Sequence, residues 1–304
     1  ERGVYCLEGT VPLAADMAIH GVGPGYQFFL AGVFAMVGTQ FWVVWMLQAL
    51  MFVGVVAWIA HRTRAHASWQ RNVFLGVLLF HPDIVQANAM LMTDTLFMAM
   101  VFAVCEACIW LLSQKGQRSS RWMVVAWTLI GGGFALADLI RPTGLPFFLL
   151  ALAALTYLRL SWKHLALIVG GFILVQTPWV ARNYRVYDHF LLNSAVGGIN
   201  LWVGLHPDGD GRYDLSRLPD VQEQMKKLTT ADMELYSAEQ ARLLLTQHPI
   251  QSGIRFVQKG FGLFSLAKTS GYWFHYANRL DQGITALLSL LANTFLLAFG
   301  LAGL

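Results

Sequence analysis

The chain has 304 residues, of which 56% are hydrophobic and 12% are charged, and its mean hydropathy is +0.52. Soluble domains carry about 25% charged residues, so this chain has too little charge to cover a water-facing surface. The composition excludes a disordered, a collagen-like or a cytosolic globular protein, and it predicts an all-α integral membrane protein. The net charge of +4 is too small to indicate nucleic acid as a partner.

A polytopic bundle of transmembrane helices is indicated by repeated apolar segments, because one crossing needs about 17–25 mostly apolar residues. Seven segments meet this requirement, namely 40–60, 71–92, 95–113, 122–140, 143–158, 164–178 and 283–303. A shorter apolar segment, 26–38, is predicted to lie along the outer interface. Pro82 predicts a kink or a break within the second segment. The glycines at 131–133 and 170–171 predict close packing between helices.

Basic residues in three connectors set the predicted orientation. The connectors 61–71, 114–121 and 159–164 contain no acidic residue, and they contain Arg62, Arg64, Arg71, Lys115, Arg118, Arg121, Arg159 and Lys163. The positive-inside rule places these connectors in the cytoplasm and the alternating ones outside the plasma (inner) membrane. Seven crossings then put the N-terminal end of the chain outside. The topology therefore predicts one further crossing ahead of Glu1.

The predicted organisation has four parts. They are a first outer loop with the interfacial segment (1–39), a six-span transmembrane core (40–178), an extracytoplasmic loop (179–282) and a seventh span (283–304). The extracytoplasmic loop is richer in charge than the spans, and a helix is predicted within it at 231–248. We expect the beginning of this loop to be extended or looped, with Asn193, Gly197, Gly198 and Asn200 as turn formers. The loop is thus predicted to be partly folded.

Polar residues at the outward ends of the spans suggest a functional site. Asp94 begins the third span, Asp138 and Arg141 end the fourth, and Arg182 and Asn183 follow the sixth. Ionisable residues at membrane depth are costly and frequently functional, although each could also anchor a helix end among the headgroups. Arginine suits a phosphate, and a carboxylate suits removal of a proton from a hydroxyl. Together they favour group transfer from a lipid phosphate.

Six motifs occur in a characteristic order over residues 1–265. They are Gly23-Pro24-Gly25-Tyr26, Thr93-Asp94-Thr95-Leu96-Phe97, Ile140-Arg141-Pro142-Thr143-Gly144, Pro178-Trp179 with Arg182-Asn183-Tyr184, Gly197-Gly198 with Asn200-Leu201-Trp202-Val203-Gly204, and His248-Pro249. In this order and spacing the chain resembles the polytopic glycosyltransferases of the C superfamily. The branch is the one related to dolichyl-phosphate-mannose protein mannosyltransferases and to the lipid A aminoarabinose transferase.

The resemblance implies inverting transfer of a hexose or pentose from a polyprenyl-phosphate donor to a hydroxyl acceptor on the extracytoplasmic face. The resemblance does not distinguish between a glycan, a lipid and a protein as the acceptor. The resemblance places the main catalytic base upstream of Glu1 and leaves Asp16 and Asp94 as catalytic candidates in this chain. It implies a donor-phosphate site of Arg141, Arg182 and Lys259, and a substrate loop of His20, Tyr26, Asn183, Asn200 and Trp202. No metal ligands are assigned, and the resemblance leaves undecided whether a divalent cation is a cofactor.

Two other functions are compatible with the same topology. A transporter or flippase of a lipid-linked or anionic substrate would place paired ionisable residues near the bilayer centre, where we find Glu106 alone. A non-catalytic scaffold would use the outer loop to bind a partner. We favour the transferase because the predicted topology and the resemblance place the functional residues on the same face.

Overall fold

The computed structural model describes residues 23–65, 68–114, 120–193, 197–209, 218–228, 230–263 and 282–301. These residues form α-helices and no β-strand, as the apolar segments predict. The helices are α1 (Pro24–Val37), α2 (Phe41–Arg62), α3 (Ser68–Phe80), α4 (Pro82–Ala89), α5 (Asp94–Ser113), α6 (Ser120–Ile140), α7 (Gly144–Tyr157), α8 (Trp162–Tyr187), α9 (Gly197–Leu205), α10 (Pro219–Lys227), α11 (Thr230–Gln247), α12 (Pro249–Leu263) and α13 (Gln282–Leu301).

Four helices in the described part of the chain are long and apolar enough to cross a membrane. They are α2, α5, most of α6 and α8, whereas α1 and α7 are apolar but shorter. Their outer faces expose large apolar side chains, such as Leu129 and Leu174 at 68% each. Soluble proteins rarely leave large apolar patches in water. Four of the seven predicted spans thus form helices long enough to cross a membrane, whereas the predicted span 143–158 forms a helix of 14 residues and the predicted span 71–92 is divided into two short helices.

The break predicted at Pro82 is confirmed. α3 ends at Phe80 and α4 begins at Pro82, so the predicted segment 71–92 contains two helices. Between them the imidazole Nδ1 of His81 accepts a hydrogen bond of 3.2 Å from the backbone N–H of Asp83. Because proline lacks an N–H group, it is well accommodated in the first turn of the new helix.

The predicted beginning of the extracytoplasmic loop is wrong. α8 continues through Pro178 to Tyr187, so residues 179–187 are helical and not extended. The reason is that Trp179, Asn183 and Tyr187 share one face of the helix and gain tertiary partners there.

Three of the four predicted turn formers are also helical. Gly197, Gly198 and Asn200 lie in α9, whereas Asn193 lies in the bend that precedes it. The helix predicted at 231–248 is confirmed as α11. Behind α9, Trp202 and Val203 pack with Leu218 and Val221 of the α10 region and with Met233 of α11 in a hydrophobic core. This burial explains why the glycine-rich segment forms a helix instead of a turn.

The chain divides into two compact units. The first contains the described residues within 23–31 and 104–263, and in it α6 packs on α7 and α8 while α9 packs on α11. The second contains the described residues within 32–103 and 282–301, and in it α3 and α4 pack on α2 and α13.

Glycines allow α6 and α8 to approach each other closely within the first unit. A Cβ atom on Gly131 would overlap the backbone carbonyl of Ile168, and one on Gly171 would overlap the carbonyl of Thr128. The predicted packing role is thus confirmed for these two residues. It is wrong for Gly170, since a Cβ there would meet no atom within 4 Å.

Candidate functional site

A buried carboxylate at the end of α6 joins three other segments. Asp138 is 1% exposed. Its Oδ1 accepts a hydrogen bond of 2.8 Å from the backbone N–H of Leu145 at the start of α7. Its Oδ2 accepts one of 2.6 Å from Nε2 of Gln176 in α8 and one of 3.2 Å from Nδ2 of Asn193. Asp138 therefore fixes α7, α8 and the segment after α8 relative to α6.

Asn193 connects this carboxylate to the second half of α8. Its side chain also donates to the backbone carbonyl of Asp138. Its own backbone carbonyl accepts hydrogen bonds from the indole N–H of Trp179 at 2.9 Å and from Nδ2 of Asn183 at 3.3 Å. Asn183 donates in addition to the carbonyl of Leu191 at 3.0 Å. The chain can return along α8 because Asp188 ends the helix in the left-handed conformation, with φ of 56°.

The guanidinium of Arg182 is held beside this connection. Nη1 donates a hydrogen bond of 2.9 Å to Oδ1 of Asn183. Its central carbon lies 4.9 Å from the ring centre of Trp179 and 5.7 Å from that of Tyr187, which are favourable cation–π distances. Among the described residues, Arg182 makes no other hydrogen bond. Four of its five N–H donors are thus available for an anion.

A second acidic side chain lies at the same cavity as Asp138. The cavity has a volume of about 340 Å³, and its walls include Asp138, Asn193 and Glu234 of α11. Oε1 of Glu234 accepts a hydrogen bond of 2.7 Å from the backbone N–H of Gly198 at the start of α9. Its Oε2 is buried and makes no hydrogen bond within the described segments.

Burial raises the pKa of Glu234 above its usual value, and the nearby backbone N–H groups of Gly198, Ile199 and Gly197 oppose this shift. A carboxylate is favourable at this position because the N-terminal end of a helix carries partial positive charge. Glu234 therefore stabilises the first turn of α9 with one oxygen and leaves the other without a donor.

A basic pair lies on α12. Arg255 donates to the carbonyl of Pro207 at 2.8 Å and to the carbonyl of Gly209. The amino group of Lys259 lies against Gly204, where a Cβ atom would have no room. Burial, and next the charge of Arg255, lower the pKa of Lys259. The pair thus fixes α12 to the C-terminal end of α9, where positive charge is favourable.

The residues assigned to the donor phosphate occupy different places. Arg182 lies beside Asn183 and the Asp138 connection. Arg141 directly follows α6, three residues after Asp138, and its backbone N–H bonds the carbonyl of Ala137 at 3.0 Å. Lys259 lies against α9 instead.

The substrate-loop and catalytic candidates are also dispersed. Tyr26 is buried in the first turn of α1, Trp202 is buried in the core behind α9, and Asn200 is exposed on α9. Asp94 is the first residue of α5 and belongs to the second unit. Asp16 and His20 lie outside the described residues.

The sequence does not predict a site role for three of these residues. Gln176 carries a recognisable signal, because it is a lone amide inside an apolar segment and such groups usually have a buried partner. Asn193 was predicted only as a turn former. Glu234 has no distinguishing signal, since it is one of several acidic residues on α10 and α11.

No protein-family profile, curated protein or solved structure matches this chain. The likeness to the C superfamily therefore stays a prediction that rests on the sequence motifs. In the described segments, no group of three or more His, Cys, Asp or Glu side chains is placed to hold a metal ion.

Proposed function

We propose that this protein is a multi-pass plasma-membrane glycosyltransferase. It transfers a sugar from a polyprenyl-phosphate donor to a hydroxyl acceptor on the extracytoplasmic face, with inversion at the anomeric carbon. The observation that carries the proposal is the position of the Arg182 guanidinium, which contacts Asn183, Trp179 and Tyr187. It lies near the end of α8, an apolar helix of 26 residues. The four long apolar helices support the membrane location.

Arg182 is suited to the phosphate of the donor for three reasons. A guanidinium is permanently charged and can present two parallel N–H donors to one phosphate. The rings of Trp179 and Tyr187 restrict its motion, so less conformational entropy is lost when the phosphate binds. Tryptophan is enriched at the level of the lipid headgroups, and Trp179 therefore favours a position near lipid phosphates.

The proposed reaction is a single displacement. A carboxylate takes the proton of the acceptor hydroxyl, and the oxygen forms a bond to the anomeric carbon. On the opposite side, the bond from that carbon to the phosphate oxygen breaks, and the electron pair leaves with polyprenyl phosphate. Arg182 stabilises the charge that develops on this leaving group. The base is the carboxylate that the resemblance implies, and its candidates in this chain are Asp16 and Asp94.

Arg182→Ala is expected to weaken the binding of undecaprenyl phosphate to the purified protein in nanodiscs by at least about tenfold, which corresponds to about 1.4 kcal/mol. Arg185→Ala is the matched control, because Arg185 is exposed one turn farther along the same helix. It should leave the affinity unchanged. Equal affinities for both variants and for the native protein would remove Arg182 from the phosphate site.

The transferase and flippase functions differ in their products. With polyprenyl-phosphate hexose and pentose donors and a membrane-lipid extract, a transferase releases polyprenyl phosphate and labels an acceptor. Arg182→Ala should slow this release at least as strongly as it weakens binding, because the charge on the phosphate increases during the reaction. Donor that crosses the bilayer with its sugar intact would instead support the flippase.

Single cysteines test the proposed orientation in a variant that lacks Cys6, Cys105 and Cys108. Arg118→Cys should react with a membrane-impermeant maleimide only in permeabilised cells, since the positive-inside rule places it in the cytoplasm. Asp188→Cys, directly after α8, should react in intact cells. Labelling in the reverse pattern would place the Arg182 site in the cytoplasm and contradict the proposal.

A further inference from the structure

An apolar groove follows one face of α8. Its volume is about 420 Å³, and Ile173, Thr177, Ala181 and Tyr184 form its floor. These residues are spaced by three or four positions, so they share one side of the helix. The groove is large enough for part of a lipid chain.

The groove adjoins the cavity that contains the two carboxylates. Phe190 and Leu192 border both spaces. Gln176 connects them chemically, because it lines the groove and donates a hydrogen bond of 2.6 Å to Asp138 in the wall of the cavity. An apolar space therefore lies directly beside a polar one.

We infer that the groove and the cavity together bind the acceptor, a membrane lipid whose headgroup presents hydroxyl groups and no phosphate. Its chain occupies the groove on α8 and its headgroup occupies the cavity beside Asp138 and Glu234. The role of this lipid as the acceptor rests on the proposed function, but the binding of the lipid does not depend on transfer.

Charge and hydrogen bonding select this headgroup. Oε2 of Glu234 is a buried acceptor without a donor among the described residues. Such an atom is costly, and a hydroxyl from a ligand would supply the missing hydrogen bond. A phosphate would instead bring negative charge toward two carboxyl groups, which disfavours it.

The groove does not include the guanidinium proposed to bind the donor phosphate. An α-helix turns by about 100° per residue, so the side chain of Arg182 leaves α8 on the side opposite Val180 and Tyr184, which line the groove. Asn193 lies between the two sides, since it bonds Asp138 through its side chain and accepts from Asn183 through its carbonyl. The lipid chain in the groove thus does not contact the guanidinium of Arg182.

Photolabelling without any donor tests this inference. The probes are an alkyl glucoside with a diazirine in its chain and the same chain with a phosphate in place of glucose, each added to the protein in nanodiscs. We expect the glucoside to label residues 173–181 at least fivefold more than the phosphate probe. Thr177→Trp, which fills the groove, should reduce this labelling at least fivefold.

Leu174→Trp is the matched control, because Leu174 is 68% exposed on α8 and does not line the groove. It should be labelled as the native protein is. Glu234→Gln retains an oxygen for Gly198 but replaces the unpaired acceptor with a donor, and it should reduce the preference for glucoside over phosphate. Ala181→Trp, also in the groove, replaces Thr177→Trp if that variant does not fold.

Equal labelling by the two probes, or labelling that a tryptophan in the groove does not change, would overturn the inference. Neither result would affect the Arg182 phosphate site. Conversely, normal phosphate binding by Arg182→Ala would refute the donor site while the glucoside labelling could still be observed. The two proposals therefore fail by different measurements.

Discussion

Gly171→Ala is expected to destabilise the first unit by at least about 2 kcal/mol, whereas Gly170→Ala should leave its stability unchanged or raise it by about 0.5–1 kcal/mol. The two glycines are adjacent in α8, but only Gly171 is buried. A methyl group on Gly171 would overlap the carbonyl of Thr128 in α6, and backbone cannot move aside without separating the two helices. On Gly170 the methyl group meets open space, and alanine favours the helix.

The measurement is the fraction of protein that stays monodisperse after heating in detergent, followed over temperature for both variants. The comparison is well controlled because the chemical change, the helix and the position along it are nearly identical. Gly131→Ala should behave like Gly171→Ala, since its methyl group would overlap the carbonyl of Ile168. If the Gly171→Ala variant unfolds at the same temperature as the native protein, α6 and α8 do not pack closely at this position.

These glycines also show how far the sequence predicts the fold. Apolar segments predict the helices, Pro82 predicts the break between α3 and α4, and glycine clusters predict close packing. The sequence does not distinguish Gly170 from Gly171, because the side of α8 that faces α6 depends on how the helix is rotated about its axis. Contacts along the whole interface set that rotation, and no local pattern contains them.

The end of α8 was predicted wrongly for a related reason. Hydropathy falls after residue 178, and polar residues such as Asn183 usually indicate a loop. In the structure Asn183 is fully buried and bonds the carbonyls of Leu191 and Asn193. A polar side chain that finds partners in the fold permits a helix where composition favours a loop.

The candidate site was predicted only in part. The position of Arg182 and Asn183 at a span end predicts a site role for both, and the two side chains are hydrogen-bonded to each other. The contact of Asn193 with Asp138 spans 55 residues, and that of Glu234 with Gly198 spans 36. Pairing at such separation is created by the packing of helices, so neither residue type nor spacing indicates it.

Asp138→Ala is expected to be the most damaging substitution in this group. It leaves the backbone N–H of Leu145 and the side-chain amide of Gln176 without their acceptor, while Asn193 keeps only the backbone carbonyl of residue 138. Each unsatisfied buried donor costs about 1–3 kcal/mol, so the total loss should be at least about 2 kcal/mol. The melting temperature in detergent measures the loss, and Thr177→Ala on the exposed side of α8 is the control.

Asp138→Asn should cost less, about 1 kcal/mol, because the site can rearrange. One oxygen still accepts from Leu145, while the new NH₂ group faces the amide of Gln176. Rotation of the Gln176 amide turns its Oε1 toward the new NH₂ group. In the native protein this Oε1 is buried and makes no hydrogen bond within the described segments. The new NH₂ group then has an acceptor, although Asn193 keeps only the backbone carbonyl of Asp138 as its partner.

Combining Asp138→Asn with Gln176→Glu tests whether these contacts form one group. Gln176→Glu alone places a second carboxylate against Asp138 and should destabilise the protein by like-charge repulsion. Together, the two substitutions exchange the positions of amide and carboxylate and restore a donor–acceptor pair across the 2.6 Å contact. The double variant should therefore be more stable than Gln176→Glu alone, with a coupling free energy of about 0.5–3 kcal/mol. Additive losses would mean that Asp138 and Gln176 do not interact.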